Sequence, residues 1–175
     1  MALALLAACS GEKPMPDADV IVVGAGIAGL SAALEAAEHG ASVLVIDANT
    51  VGGGHAVKAG GFALVGTELQ KKRGYADAPE IAFDDLMRWG ETANAEWVKR
   101  YVTQSNTMVY EWLQEMGVEF KVIIDTPEAT VPRFHFTAGT AVNAVIPMMQ
   151  KAFASDRIRF VWSERAVELL VTDNR

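Results

Sequence analysis

The feature that most constrains this chain is a glycine-rich turn between an apolar run and a helical pattern. Residues 19–23 read Asp-Val-Ile-Val-Val, which is typical of a buried strand in a parallel sheet. Residues 24–29 then read Gly-Ala-Gly-Ile-Ala-Gly, and apolar residues at helical spacing follow as far as Gly40. A second apolar run at 42–46 completes a strand–helix–strand unit. The sequence therefore predicts an α/β fold that begins with a right-handed crossover.

The turn has the Gly-x-Gly-x-x-Gly spacing of a dinucleotide site. Gly24 allows the tight turn, Gly26 lets the backbone approach a pyrophosphate, and Gly29 lets helix and strand pack closely. Ala28 lies in the first helical turn, whose free N–H groups and partial positive charge attract phosphates. Asp47 ends the second strand, where a carboxylate accepts ribose hydroxyls and disfavours the 2′-phosphate of NADP. The sequence therefore predicts dinucleotide binding.

A second glycine-rich loop follows Asp47 and distinguishes between dinucleotides. It contains the glycine pairs Gly53-Gly54 and Gly60-Gly61. A backbone without Cβ atoms can run against a flat, bulky ligand. Since a simple NAD dehydrogenase does not need such a loop, this feature favours FAD and leaves an NAD-binding protein as the weaker alternative.

The order of these motifs resembles the FAD-dependent oxidoreductase 2 family. This family comprises fumarate reductase and succinate dehydrogenase flavoproteins with their flavocytochrome c, urocanate reductase and ketosteroid dehydrogenase relatives. Its members typically read Gly-Gly-Asn-Ser/Thr-x-x-Ser/Ala-Gly-Gly after the acid, and residues 53–61 here read Gly-Gly-His-Ala-Val-Lys-Ala-Gly-Gly. The resemblance continues through 77–80, 112–120, Arg133-x-His135 and 165–170. It implies a Rossmann-like FAD-binding domain of the glutathione-reductase type over 19–175, with a helical insertion at about 80–117.

The resemblance also implies how FAD is held. His55 replaces the usual asparagine and Ala56 the usual Ser/Thr. In membrane-complex members a histidine in a Ser-His-Thr version of this loop is bonded to the flavin, whereas the flanking Gly54 and Ala56 here favour a non-covalent contact. By position, a backbone contact to adenine falls on Ala166. The implied cofactor-binding residues are Gly24, Gly26, Ala28, Gly29, Asp47, Ala48, Gly53, Gly54, His55, Ala59, Gly60, Gly61 and Ala166.

Arg133 and His135 are the candidates for acid–base chemistry in this chain, since histidine titrates near neutrality. Their surroundings read as a polar, proline-flanked loop, and no second acid or base pairs with them in the sequence. Such residues are more often hydrogen-bonding loop residues. The resemblance implies that the catalytic residues lie downstream of Arg175, so that the chain is an incomplete N-terminal fragment that does not turn over substrate alone.

Two functions follow from this pattern. The first is an FAD-dependent oxidoreductase that moves a hydride at a C–C bond beside an electron-withdrawing group, with a small-molecule substrate and an electron-transfer partner. The alternative is a non-catalytic, membrane-tethered nucleotide-binding module, either a remnant or a subunit completed by a partner chain. An open reading frame past Arg175 that encodes an arginine- and histidine-rich segment would favour the enzyme.

Residues 1–18 predict an export signal and a tether. Leu6-Ala7-Ala8-Cys9 follows an apolar start and resembles the lipobox of bacterial lipoproteins, in which the cysteine is lipidated. The positive residues that open a signal peptide are missing, which places the natural start upstream. We expect a lipid-anchored, extracytoplasmic protein of the bacterial envelope. The alternative is a ragged N-terminus with an inert cysteine on a cytoplasmic protein.

Charge and composition narrow the partners. The net charge is −7 and the one basic run is 71–73, so a nucleic-acid partner is not expected. One cysteine and three widely spaced histidines match no metal motif. Elsewhere the patterns predict loops at 49–66 and 125–133, and helices at 81–89, 94–116 (interrupted near 104–105) and 140–154 (capped by Thr140). They predict strands at 118–124, 158–162 and 166–172, and core or helix-packing positions for Trp89, Trp97 and Trp112.

Overall fold

The computed structural model describes residues 17–137 and 139–170. The apolar start and Cys9 lie outside the described residues. The predicted strand–helix–strand unit is confirmed as β1 (Val20–Val23), α1 (Ile27–Glu38) and β2 (Val43–Asp47). The three elements are continuous in sequence and require no distant segment to define them.

A parallel sheet positions this unit. The strand order is β1-β2-β6, with β6 at Ile158–Trp162, and both strand pairs are parallel. Helices α1 and α6 (Val142–Ala154) cover one face of the sheet, where Val22 pairs with Val45 and both are buried. Because side chains alternate across a strand, Ile21 and Val23 point to the other face and are 61% and 66% exposed.

The strands of a second, antiparallel sheet lie between β2 and β6 in the sequence. It consists of β3 (Phe62–Ala63), β4 (Phe120–Ile124) and β5 (Phe134–Thr137) in the order β3-β5-β4. Strand β4 was predicted, but β3 and β5 were predicted as loop or left unassigned. A two-residue and a four-residue strand show too little period-two alternation to be recognised, and their pairing with partners distant in sequence stabilises them.

The helical insertion predicted at about 80–117 contains α3 (Pro79–Trp89), α4 (Ala95–Ser105) and α5 (Trp112–Glu115). A short helix that was not predicted, α2 (Glu68–Lys72), precedes it. The interruption predicted near 104–105 is a π-helical segment at Asn106–Glu111 within continuous helix rather than a break. This widened turn buries Tyr110, whose ring stacks on Phe120 of β4 at a centroid distance of 5.0 Å.

Three local predictions were wrong. Residues 164–170 form no strand, so the described part of the strand predicted at 166–172 is exposed chain without regular secondary structure. Thr140 is not the cap of α6, because the helix begins at Val142 with Ala141 as its N-cap and no side chain bonded to its first N–H groups. Trp89 and Trp97 are 57% and 68% exposed, whereas Trp112 packs against the core as predicted.

Among the described residues, no helix is both long and apolar enough to cross a bilayer. Nor do the described histidine and carboxylate side chains gather into a group that could ligate a metal ion.

Candidate functional site

The three glycines of the turn have three different physical roles. Gly24 has φ +100°, a left-handed conformation that a side chain rarely adopts. A Cβ on Gly29 would lie 1.9 Å from the Gly24 carbonyl oxygen, so that position permits close helix–strand packing. Gly26 has an ordinary φ of −76°, and a Cβ there would meet no atom within 4 Å among the described residues. Neither conformation nor packing requires glycine at Gly26, so the space above it is free for a ligand.

The same turn opens helix α1 toward that space. Gly26 is the N-cap, and no described side chain caps the helix or places an acid in its first turn. Ala28 is exposed in this turn. The N-terminal N–H groups and the positive end of the helix dipole are therefore available to a phosphate.

Asp47 stands at the carboxyl end of β2 beside the turn. Its Oδ2 accepts the Ala25 N–H at 2.6 Å, and its Oδ1 accepts the backbone and side-chain N–H groups of Asn49 at 2.7 and 3.1 Å. Burial raises the pKa of this carboxyl, but these hydrogen bonds outweigh burial and hold the pKa below 3.8. The carboxylate is charged at neutral pH, and Oδ2 retains a lone pair for a ribose hydroxyl.

The first glycine pair of the second loop packs backbone to backbone against the turn. The Gly53 N–H donates to the Ala25 carbonyl at 2.7 Å, and Gly26 and Gly53 form an isolated parallel bridge. Gly53 and Gly54 both have positive φ, at +109° and +52°, and a Cβ on Gly54 would lie 3.4 Å from the Gly26 Cα. The two glycine motifs recognised in the sequence are therefore one structural unit.

The second glycine pair rests on strand β5. A Cβ on Gly61 would lie 2.2 Å from the His135 carbonyl oxygen, and a Cβ on Gly60 would lie 3.1 Å from the Phe136 ring. The carbonyl of the preceding Ala59 accepts the Ala141 N–H at 3.0 Å. Glycine at both positions brings this end of the loop into direct contact with the strand backbone.

A groove with a volume of about 580 Å³ lies along the first part of this loop and is lined by residues 48–52, 54, 55, 57 and 58. Residues 54–58 form a 3-10 turn along it, and His55 and Ala48 are exposed on its lining. The histidine side chain therefore borders the groove and is accessible from it.

Arg133 does not lie in a solvated loop. Its guanidinium is 5% exposed and bonds Asp77 through Nε and Nη2, at 3.2 and 2.9 Å, and Asp85 through Nη1 at 2.7 Å. Asp85 also accepts the Thr130 N–H and hydroxyl, each at 2.9 Å. Burial alone would raise the pKa of Asp85, but the bonds from Thr130 and Arg133 hold it below 3.8. The expectation that no acid pairs with Arg133 was wrong, because both acids lie far away in sequence.

His135 is fully buried on β5. Its Nδ1 is 2.7 Å from the Arg133 carbonyl, which can only accept, so Nδ1 carries the proton. The neutral ring then accepts the Thr67 hydroxyl at Nε2, also at 2.7 Å. Burial lowers the pKa of this imidazole, and the bond to Arg133 and the charge of Asp77 only partly oppose the effect. Both ring nitrogens are engaged and shielded from solvent, which suits a structural role rather than proton transfer to a substrate.

The partners of the buried Arg133 and His135 were not predicted from the sequence. Thr67 and Gln70 form a capping box at the start of α2, a Thr-x-x-Gln pattern that is readable in the sequence. Gln70 Nε2 also donates to Asp77 and to the Pro132 carbonyl, each at 2.9 Å. Ala166, the expected adenine contact, lies in exposed chain after β6, two residues past Glu164, whose N–H donates to the Asp47 carbonyl at 3.1 Å.

Comparison with known proteins finds relatives that include two groups, steroid dehydrogenases and fumarate reductases. The chain is 35% identical over 179 residues to a KsdD-like steroid dehydrogenase from Mycolicibacterium smegmatis, covering 90% of this chain and 32% of that protein. It is 31% identical over 169 residues to a fumarate reductase (cytochrome) from Shewanella frigidimarina, covering 95% and 30% respectively. The chain thus spans about a third of the length of these curated relatives.

Solved structures show the same two groups. The open conformation of a flavocytochrome c3 fumarate reductase matches with a TM-score of 0.84 and 29% identity, over 90% of this chain and 28% of that one. A 3-ketosteroid-Δ4-(5α)-dehydrogenase from Rhodococcus jostii matches with a TM-score of 0.77 and 30% identity, over 96% and 42%. The expected fold class is confirmed by these matches.

The family model described as an FAD binding domain matches residues 19–175, which include both glycine motifs, Asp47 and strand β5. The cofactor expected from the second glycine loop is thereby confirmed as FAD. This chain belongs to the FAD binding domain family of the fumarate reductase and ketosteroid dehydrogenase flavoproteins.

Proposed function

We propose that this chain is the FAD-binding part of an oxidoreductase that acts on a C–C bond next to an electron-withdrawing group. The single observation that carries the proposal is Gly26, whose missing side chain leaves open space rather than relieving a clash. Relatives named for fumarate and for ketosteroids support the substrate class. When bound, FAD supplies the redox chemistry, and the protein supplies position and charge.

Individual residues have separate parts in the proposed site. The N-terminus of α1 and Gly26 hold the pyrophosphate, and Asp47 accepts the ribose hydroxyls. The groove beside Ala48 and His55 includes Gly54 of the first glycine pair, and we place the flavin end farther along the loop, at Gly60 and Gly61. The absence of side chains at these two glycines allows a flat ring to approach closely.

We propose that FAD is bound non-covalently. His55 borders the groove in a 3-10 turn, with Gly54 before it and Ala56 after it. Acid precipitation of the FAD-loaded chain should release the flavin into the supernatant. Flavin that stays with the precipitated chain and is lost in His55→Ala would instead show a covalent bond to that histidine.

The experiment that tests the proposed function is reconstitution of the chain with FAD. After gel filtration the protein fraction should keep the visible absorbance of flavin at about one FAD per chain, because FAD bound at one site would co-elute. Asp47→Ala should lose most of it, since the ribose acceptor is gone. Retention of NAD with exclusion of FAD would contradict the proposal.

The proposed acid and base of the reaction lie outside the described residues, since the candidates within them, Arg133 and His135, are buried and bound to other groups. The same burial favours the alternative of a non-catalytic nucleotide-binding module. Reduction of fumarate or an enone by reduced FAD on the chain plus its downstream sequence would support the enzyme. Absence of turnover in that longer protein would support the module.

We further propose that Cys9 anchors the protein to a membrane by lipidation, after export from the cytoplasm. The support is the Leu-Ala-Ala-Cys motif and the polar segment after it. An electron-transfer partner at the membrane would fit this location. Expression in a bacterium with labelled fatty acid should label the wild-type chain and leave Cys9→Ser unlabelled; equal labelling would contradict the proposal.

A further inference from the structure

We propose that the buried polar cluster around Arg133 and His135 is a positioning device for the flavin end of the FAD site. The polar cluster is defined as Thr67, Gln70, Asp77, Asp85, Thr130, Arg133 and His135. The inference rests on the proposed FAD-binding function, and it assigns a role to residues that have no part in holding the nucleotide.

The end of the glycine loop is in contact with β5. Gly61 sits against the His135 carbonyl so closely that a Cβ would lie 2.2 Å from it, and Phe62 pairs with His135 across the β3–β5 ladder. The Leu64 N–H donates to the Arg133 carbonyl at 2.9 Å. The position of the loop end is therefore set by the backbone of residues 133–135.

Side chains of the polar cluster fix the backbone of residues 133–135. The Arg133 carbonyl that accepts Leu64 also accepts His135 Nδ1 at 2.7 Å, and the opposite ring nitrogen is bonded by Thr67 at 2.7 Å. The imidazole is thus fastened at both ends, to its own strand and to the start of α2. Since a ring so bonded cannot rotate without breaking a hydrogen bond, the strand cannot shift while α2 stays in place.

The hydrogen bonds of the polar cluster form a closed ring. Thr67 is bonded to Gln70 through the capping box, Gln70 donates to Asp77 at 2.9 Å, and Asp77 bonds the guanidinium of Arg133. From Arg133 the network continues to Asp85 on α3. Helices α2 and α3 are therefore connected through buried, charge-assisted bonds to the strand that supports the glycine loop.

The polar cluster supports the flavin end of the site and not the nucleotide end. The nucleotide end of the site, at Gly26 and Asp47, is built on the parallel sheet, and the polar cluster contributes no atom to it. The flavin end rests on β5, to which the cluster is bonded. A defect in the cluster should therefore weaken binding of FAD while leaving binding of ADP, which lacks the flavin ring, unchanged.

The test compares Thr67→Val, which removes the hydroxyl but keeps the shape, with Thr67→Ser, which restores it. We expect FAD to bind about tenfold more weakly to Thr67→Val than to the wild-type chain, with unchanged ADP affinity and with recovery in Thr67→Ser. Ile158→Ala, at the amino end of β6 and away from the loop, is the matched destabilised control. Its ratio of FAD to ADP affinity should equal that of the wild type.

A second measurement needs no cofactor and separates this inference from the proposed function. Amide hydrogen exchange in the free chain should be about tenfold faster over 59–63 in Thr67→Val, while residues 20–47 are unchanged. If Thr67→Val does not fold, Asp77→Asn, at the other side of the cluster, carries the same comparison. Unchanged exchange over 59–63, or equal losses of FAD and ADP affinity, would overturn the inference. Failure of the wild-type chain to bind FAD, with faster loop exchange in Thr67→Val, would contradict the proposed function alone.

Discussion

The two glycine-rich segments of the site rest on different kinds of support. The turn at 24–29 is held by apolar packing of β1, α1 and β2, elements that are neighbours in sequence. The loop end at Gly60-Gly61 is held by β5, about 75 residues later, and by a buried cluster that includes Arg133 between two carboxylates. The nucleotide end should therefore be sensitive to volume, and the flavin end to charge and hydrogen bonding.

The largest effect that separates the two regions is expected for Arg133→Met. The substitution keeps much of the side-chain volume but removes the buried cation between Asp77 and Asp85, and leaves Asp85 only the largely exposed Arg88, 3.4 Å away, which costs about 3–5 kcal/mol of unfolding free energy. Chemical denaturation followed by circular dichroism measures it. Combining Arg133→Met with Asp77→Asn and Asp85→Asn should recover a large part of that loss. A loss below about 1 kcal/mol would show that the flavin end does not depend on charge pairing.

The next effect belongs to the nucleotide end. Gly29→Ala places a Cβ 1.9 Å from the Gly24 carbonyl, so helix and strand must separate, which costs about 2–3 kcal/mol. Ala32→Ser on the exposed side of the same helix is the control, and it should change stability by less than about 0.5 kcal/mol. Equal stabilities of the two variants would mean that close packing does not hold the turn.

The acid sensitivity of the two regions should also differ. The pKa of His135 lies below its usual 6.5, so the unfolded chain binds the proton first, and stability should begin to fall as the pH drops below about 6.5. The carboxyls Asp47 and Asp85, with pKa values below 3.8, keep their contribution until the pH falls through those lower values. The loss of stability below about pH 6.5 thus reports the polar cluster. The loss below pH 3.8 reports both regions.

Denaturation curves measured between about pH 5 and pH 7 check this difference. The wild type should lose stability across that window, and His135→Gln should flatten the slope. His39→Gln, at the exposed C-cap of α1, is the matched control for the removal of a histidine. A slope that persists in His135→Gln would assign the acid sensitivity to another group.

The smallest effect is expected at the surface of the nucleotide end. Lys151 on α6 bonds Glu38 on α1, but the two side chains are 43% and 46% exposed. Solvent and salt screen such a pair, so Lys151→Ala should lower stability by less than about 0.5 kcal/mol. A loss above about 1 kcal/mol in denaturation would show that charge pairing matters in both regions.

The difference between local and distant support also explains which features could be predicted from the sequence. The β1–α1–β2 unit, the roles of Gly24 and Gly29 and the place of Asp47 follow from local spacing, because the partners lie within one supersecondary unit. The pairing of Arg133 with Asp77 and Asp85 was missed, since no local pattern shows which distant carboxylates meet a buried arginine. Strands β3 and β5 were missed for the same reason, because their hydrogen bonds are to each other across a long interval of sequence.

The measurement that tests the central account most directly is titration of FAD into the wild-type chain and Gly26→Ala, with thermal unfolding of both free proteins. Gly26 has an ordinary φ and an open Cβ position, so the account predicts equal unfolding temperatures and FAD affinity at least about a hundredfold weaker in the variant. Equal FAD affinity in the two proteins would contradict the placement of the cofactor over the glycine turn.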